Sequence, residues 1–192
     1  MGKIFLLKVA WLLVMREISE IFGKVKIIKS ETYADDRGML QQVYNSEIDS
    51  LLSLNAKGIC HVYYSISRNK TIRGLHYQYG VEQGRLISLI SGTILDVIVD
   101  LRKDSKTFGH HQRVILEPSS LVWIPSGFAH GFQALSDDTI MLYQCTGPYS
   151  PESERCINVF DKRLNIVWED TKDAIISQKD LMGIDFKNAD YF

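Results

Sequence analysis

Four clusters along the chain gather side chains that can move protons or hold anions. They are Arg73–Gln78 with Gln83-Gly84-Arg85, Pro125–Phe132 with His130, Leu142–Glu154 with Tyr143, Tyr149 and Glu154, and Ser177–Asp180 with Lys179. Imidazole titrates near neutrality and a phenol can return a proton to carbon or oxygen. A strand-borne His76 beside Arg73, with Tyr143 on another strand, therefore makes an acid–base set. Guanidinium groups bind phosphate bidentately, which suits Arg73 and Arg37 to an anionic ligand. Taken singly, each residue also has a plain reading. His76 reads as a satisfied core histidine, Arg85 as a strand-face partner of a surface carboxylate, His130 as a solvated turn histidine, and Glu154 and Lys179 as solvated charges.

A metal is the next chemistry to weigh. His76, Glu82 and Pro125-x-Gly127-x-x-His130 match part of the signature of metal-binding cupins, His-x-His followed by Glu and a distant Pro-x-Gly-x-x-His. Gln78 stands where the second His belongs, and a neutral amide is a poor ligand for a transition metal. A metal-dependent cupin oxygenase is thus weakened but stays open as an alternative. Neighbouring His110 and His111 are discounted as a metal pair, because adjacent strand residues point to opposite faces.

The elements that must carry these groups read as strands. KVKIIKS, ICHVYYSIS, RLISLI, TILDVIVDL, QRVILE, LVWIP and IMLYQC are short and rich in β-branched and aromatic residues. Turn signals such as Asp36-Arg37-Gly38, Ser91-Gly92, Pro118-Ser119-Ser120 and Ser136-Asp137-Asp138 separate many of them. This predicts an all-β sandwich, jelly roll or barrel. A short helix is expected over Ser46–Leu54, and loop with weak helix from Thr171 onward. Trp123 and Trp168 are expected in the core or capping a sheet, and His110 and His111 on a surface turn.

Composition narrows the class without naming a function. The chain has 192 residues, 45% of them hydrophobic, and a formal net charge of −1. That is enough apolar mass for a real core and too little positive charge for nucleic-acid binding by general electrostatics. Cys60, Cys145 and Cys156 are odd in number and widely spaced, which argues for buried free thiols in a reducing cytoplasm. Residues 1–22 form an apolar start, read as an N-terminal helix packed on the body or a partner, or as an upstream extension with Met15 as the natural start. Val9–Met15 is the longest uncharged piece there, too short to cross a bilayer, so no membrane role is expected. Residues 23–192 are read as one domain.

The run RGLHYQ, QGR, SGTILDVIVDLRKDSKTFG, WIPSGFAHGFQALSD, YQCTGPYSPESE, D-x-x-L-x-I-x-W and SQKD resembles the dTDP-4-dehydrorhamnose 3,5-epimerase family, collinear from about Val25 to Asp180. The resemblance implies a cupin-type jelly roll (double-stranded β-helix) with a few short peripheral helices, without metal or cofactor, usually as a homodimer. It implies epimerisation at C3, C5 or both of a 4-keto-6-deoxy sugar on a nucleoside diphosphate. Such hydrogens lie α to a carbonyl, so the reaction needs a base on one face, an acid on the other and a donor at the enolate oxygen.

By resemblance, His76 is the base, Tyr143 the acid and Asp180 the carboxylate that orients His76. Arg85 stands where the family has Lys, and is expected at the 4-keto oxygen or a neighbouring hydroxyl, although a planar guanidinium is not equivalent to an ammonium. Arg73 resembles the family's phosphate-binding Arg, and Arg37 a second nucleotide-binding Arg that could reach across a dimer. Gln42 replaces the usual Glu, while His61 and Tyr63 replace the usual Gln and Asn. His130, Glu154 and Lys179 match further substrate contacts, and Tyr149 a lid or sugar-stacking aromatic. A non-catalytic sugar-nucleotide-binding cupin is the remaining alternative; it has no need of His76, Tyr143 and Asp180 together.

Overall fold

Period-two alternation explains most of the architecture. In Ile94–Asp100, Leu95, Val97 and Val99 join one apolar cluster, while Ile94 and Ile98 join another on the opposite face. A strand buried on both faces needs a layer on each side. The computed structural model describes residues 17–30, 32–52 and 58–192, and its strands build those layers.

In chain order the strands are β1 (Glu17–Ile21), β2 (Val25–Lys29), β3 (Thr32–Asp35), β4 (Gly38–Gln41), β5 (His61–Ser67), β6 (Thr71–Gln78) and β7 (Arg85–Ser91). They continue as β8 (Ile94–Asp100), β9 (His111–Leu116), β10 (Ser120–Ile124), β11 (Phe128–Ala134), β12 (Thr139–Cys145), β13 (Glu154–Cys156) and β14 (Ile175–Ile176). Helix α1 spans Ser46–Leu52 and α2 spans Gln178–Leu181. One sheet runs β1-β2-β10-β7-β12-β5 and the other β13-β6-β11-β8-β9, with β14 pairing parallel to β6. The two sheets share a core of Ile87, Ile98, Val122, Phe128, Phe132 and Met141. Helix α1 covers the outside of the first sheet through Ile48 and Leu52 against Leu86 and Trp123. The C-terminal tail covers the outside of the second, placing Ile157, Leu164, Trp168 and Phe186 on Leu75, Tyr77 and Val97. This is the expected all-β cupin-type jelly roll with short peripheral helices. Hairpin β3–β4 is a separate two-stranded sheet.

Several expectations change. Residues 1–16 lie outside the described residues. Glu17–Ile21 is a strand rather than a helix, paired in register with β2 from Glu17↔Lys29 to Ile21↔Val25. Phe22 and Gly23 turn the chain at φ 55° and 67°, so β2 satisfies the backbone of β1 locally. Helix α1 appears where expected, with residues 53–57 outside the described set. The tail is mostly loop, as expected. Trp123 and Trp168 are buried. His111 opens β9 and is half-buried, whereas only His110 is exposed. Cys145 is buried and Cys156 half-buried, but Cys60 is exposed at the approach to edge strand β5, its thiol donating to the Thr146 carbonyl at 3.0 Å. Among the described residues no helix is long and apolar enough to cross a membrane.

The end of β8 is tied to the following loop by a buried carboxylate. Asp100 accepts from the Arg102 backbone N–H at 3.0 Å, from its guanidinium at 2.7 and 2.9 Å, and from the Ser105 and Thr107 hydroxyls at 2.7 and 2.6 Å. Burial pushes this carboxyl up, but the Arg102, Thr107 and Ser105 donors outweigh it and bring the pKa to about 2. A depressed folded pKa contributes stability above the unfolded value that is lost as pH falls toward the folded one. Asp100→Asn is therefore expected to cost about 2 kcal/mol at pH 7, with the gap to wild type closing between about pH 4 and pH 2, as read by urea denaturation across pH.

Candidate active site

Alternation along β6 decides what faces the cavity. Ile72, Leu75 and Tyr77 turn outward into the tail-covered core, and the irregularity at Gly74 leaves Arg73 as well as His76 and Gln78 facing the cavity. Phe128 and Phe132 on β11, and Met141 on β12, face the same interior, and His130 and Tyr143 share their parity. Strands β6 and β11 pair with His130 opposite His76. The result is a cavity of about 440 Å³ lined by His61, Tyr63, Arg73, His76, Arg85, His130, Tyr143, Tyr149 and Glu154, together with Ser65, Gln78 and Gln83.

His76 and Asp180 form the central pair. Nε2 of His76 lies 2.7 Å from Oδ1 of Asp180, whose side chain is only 5% exposed. The Ser177 hydroxyl accepts the Asp180 backbone N–H at 3.1 Å and so caps α2, and the Gly74 N–H donates to Asp180 Oδ2 at 3.3 Å. Burial pushes the Asp180 carboxyl up, but the hydrogen bond and charge of His76, with the Gly74 N–H, outweigh it and hold the pKa below the ordinary value. An ionised carboxylate on one ring nitrogen leaves the other nitrogen as a base toward the cavity.

Tyr143 comes from the opposing sheet. Burial pushes its phenol up, so it stays protonated and able to donate at neutral pH. Base and acid thus stand on opposite walls of one cavity. Between them Arg85 is held by Gln83 Oε1 at 3.2 Å from Nε and by the His76 carbonyl at 3.3 Å from Nη1. Arg73 sits at the exposed rim, its Nε donating to Ser67 Oγ at 3.1 Å. Glu154 accepts from the Tyr149 hydroxyl at 2.9 Å and pairs with Lys179 at 2.6 Å. Burial pushes Glu154 up, but the Lys179 and Tyr149 donors prevail and lower it. These contacts bring Lys179 beside the cavity through Glu154.

Two expected residues are not brought in by this chain. Arg37 lies at the tip of β3–β4, its guanidinium 90% exposed and ion-paired with Asp35. Gln42 accepts from Asn45 Nδ2 at 3.3 Å, away from the cavity. The physical reason is that their hairpin pairs with neither large sheet.

Sequence reasoning missed Asp96. It points inward between Ile94 and Ile98, is 1% exposed, and its Oδ1 lies 2.6 Å from His130 Nε2. An acidic residue inside the apolar run Ile-Leu-Asp-Val-Ile-Val was the available signal. Gln83 was also missed as a holder of the Gly147 and Pro148 carbonyls, at 3.2 and 2.8 Å. Cys156 was missed as a neighbour of the pair, 3.9 Å from Asp180 Oδ1. Its thiol is pushed up to about 12 by burial and by Asp180, which keeps it protonated.

The cupin metal signature does not converge. His76 and His130 each spend Nε2 on a carboxylate, Gln78 Oε1 accepts the Ser150 N–H at 3.2 Å, and Glu82 is exposed and does not line the cavity.

Comparisons with known proteins give the family and the fold. The family model for dTDP-4-dehydrorhamnose 3,5-epimerase matches residues 20–188. The dTDP-4-dehydrorhamnose 3,5-epimerase of Pseudomonas aeruginosa is 37% identical over 170 residues, covering 88% of this chain and 94% of the relative. That of Methanothermobacter thermautotrophicus is 41% identical over 158 residues, covering 80% and 85%. The crystal structure of dTDP-6-deoxy-D-glucose-3,5-epimerase from Legionella pneumophila, in complex with dTDP-4-keto-L-rhamnose, superposes with a TM-score of 0.84 at 36% identity, covering 91% and 94%. Its fold, its cavity and these matches together establish that the chain belongs to the dTDP-4-dehydrorhamnose 3,5-epimerase family.

Proposed function

We propose that the chain inverts C3, C5 or both of a nucleoside-diphosphate 4-keto-6-deoxy sugar of the dTDP-4-dehydro-6-deoxyglucose type, by proton abstraction and reprotonation through an enolate. The observation that carries this reading is the pairing of carboxylate-backed His76 on one sheet with buried, protonated Tyr143 on the facing sheet. His76 takes the proton from the carbon α to the keto group. The C–H electron pair becomes the enolate and its charge moves to the keto oxygen. Tyr143 returns a proton to the other face, and the centre inverts. Asp180 orients His76 and stabilises its imidazolium. Arg85 supplies positive charge for the enolate oxygen, and His130, backed by Asp96, supplies a second donor. These residues perform the step without a cofactor.

The nucleotide end needs cations at the rim. Arg73 suits the pyrophosphate, Tyr149 a base or sugar face, and Glu154 with Lys179 the polar rim; His61 and Tyr63 wall the sugar end. The Legionella pneumophila relative binds dTDP-4-keto-L-rhamnose, and one from Bacillus anthracis, 34% identical with a TM-score of 0.80, has TDP and PPi bound. Both support a dTDP-sugar substrate.

A homodimer belongs to the same reading. Edge strand β5 exposes Val62, Tyr64 and Ile66 in one row, and hairpin β3–β4 exposes Tyr33, Met39 and Leu40. Such edges and patches favour covering by a second copy. A dimer would also let Arg37 and Gln42 serve a partner's cavity. A cytoplasmic setting fits three cysteines that form no disulfide with one another.

Purified protein incubated with dTDP-4-keto-6-deoxyglucose should give the epimerised product by NMR; unchanged substrate would overturn the proposal. His76→Ala is expected to lower kcat by about 10³-fold or more and to stop deuterium exchange from solvent. Asp180→Asn should lower kcat by about 10²–10⁴-fold through loss of ring orientation. Tyr143→Phe should suppress inversion while exchange by His76 persists. Arg73→Ala should raise KM about 10- to 100-fold with a smaller change in kcat, as expected for a charge-assisted phosphate contact.

A further inference from the structure

The inward face of β5 carries an aromatic column that ends on the acid. His61 and Tyr63 line the cavity, Tyr63 at its open side with 43% of its surface exposed, while Val62, Tyr64 and Ile66 point away from it. Strands β5 and β12 pair in register, with Tyr63 directly opposite Tyr143 and His61 opposite Cys145. The Tyr63 and Tyr143 rings are stacked, their centroids 4.7 Å apart and their planes 10° from parallel. His61 continues the stack on Tyr63 at 5.5 Å and 15°.

The phenol's own proton is weakly held. The hydroxyl has a hydrogen-bond contact at 4.0 Å, to the soft Met141 sulfur. The buried Ser65 hydroxyl on the same strand face acts on the phenol oxygen as a donor, pulling its pKa down against burial and leaving the phenol's own proton unspent. A tyrosine that must donate to substrate cannot also spend its proton on a strong structural bond, so its ring has to be fixed through its faces. The ring turns about two torsions, and near-parallel stacking on a neighbour limits both.

We infer that Tyr63 is a positioning residue for Tyr143, its ring laid flat against the acid and backed by His61 so that the proton returns from one fixed side. Tyr63 and His61 occupy positions where the family resemblance leads one to expect Asn and Gln. Amides can hydrogen-bond a sugar there but offer no comparable ring face. The stack therefore couples a substitution in this chain to the reprotonation step, and not to proton removal by His76 on the other sheet. Small displacements of a reacting group cost rate steeply, so loosening the ring should show in inversion before it shows in exchange.

The inference rests on the epimerase reading, and the test separates the two. Wild type, Tyr63→Ala, Tyr63→Leu and Tyr63→Phe are incubated with dTDP-4-keto-6-deoxyglucose in heavy water. For each, the deuterium washed into recovered substrate is compared with the amount of inverted product. Tyr63→Ala and Tyr63→Leu should raise the ratio of exchange to inversion about tenfold, and Tyr63→Phe, which keeps the ring face, should restore the wild-type ratio. Tyr63→Leu preserves bulk, so the result stands even where the alanine variant folds poorly. A wild-type ratio in both non-aromatic variants, or a Tyr63→Phe variant that behaves like them, would overturn the inference and leave the epimerase reading intact. No exchange and no inversion in wild type would overturn both.

Discussion

Strands β6 and β11 approach so closely at two glycines that the site can form between them. A Cβ on Gly74 would lie 2.5 Å from the Gly131 Cα, and one on Gly131 would lie 2.7 Å from the Arg73 carbonyl oxygen. Gly74 also holds φ at +129°, a conformation that side-chain-bearing residues rarely adopt. This contact sits at the register shift between His130 and Phe132. It brings His76 and His130 side by side, and it turns the Gly74 N–H toward Asp180. The rest of the cavity is built outward from that seam.

The seam also explains how a nearly neutral chain can hold an anion and an enolate. Two buried carboxylates, Asp180 and Asp96, each serve one imidazole rather than the solvent. Each carboxylate fixes the orientation of its imidazole, so the ring presents its other nitrogen at a chosen point. Arg85 and Arg73 add fixed charge nearby. Field at the site thus depends on placement inside a low-dielectric cleft, and the overall balance of −1 is no obstacle to an anionic nucleotide. The acid is treated differently. Burial, more than any charge, keeps Tyr143 protonated against the Ser65 hydroxyl donor, and its own proton meets only the Met141 sulfur.

Much of this was legible in the sequence because its signals are local. The β-rich segments announce themselves by β-branched content, and the seven ordered motifs locate His76, Tyr143, Asp180 and Arg85 before any geometry is known. What stayed hidden depends on contacts far apart in the chain. Asp96 looks like one more strand residue until His130, 34 positions away, folds onto it. Cys156 meets Asp180 only through the tail. Arg37 and Gln42 carry the right motif, yet their hairpin belongs to neither large sheet, so one chain does not bring them to its own cavity. The helix expected over the start gives way at Glu17–Ile21 to strand pairing, because propensity is a weak prior beside a satisfied backbone.

In this mechanism protons leave and return through two side chains on opposite walls. Its most direct test follows wild-type turnover of dTDP-4-keto-6-deoxyglucose in heavy water, locating deuterium in the product by NMR. Solvent deuterium is expected at every centre that inverts. Inverted product carrying only its original hydrogen at that carbon would contradict it.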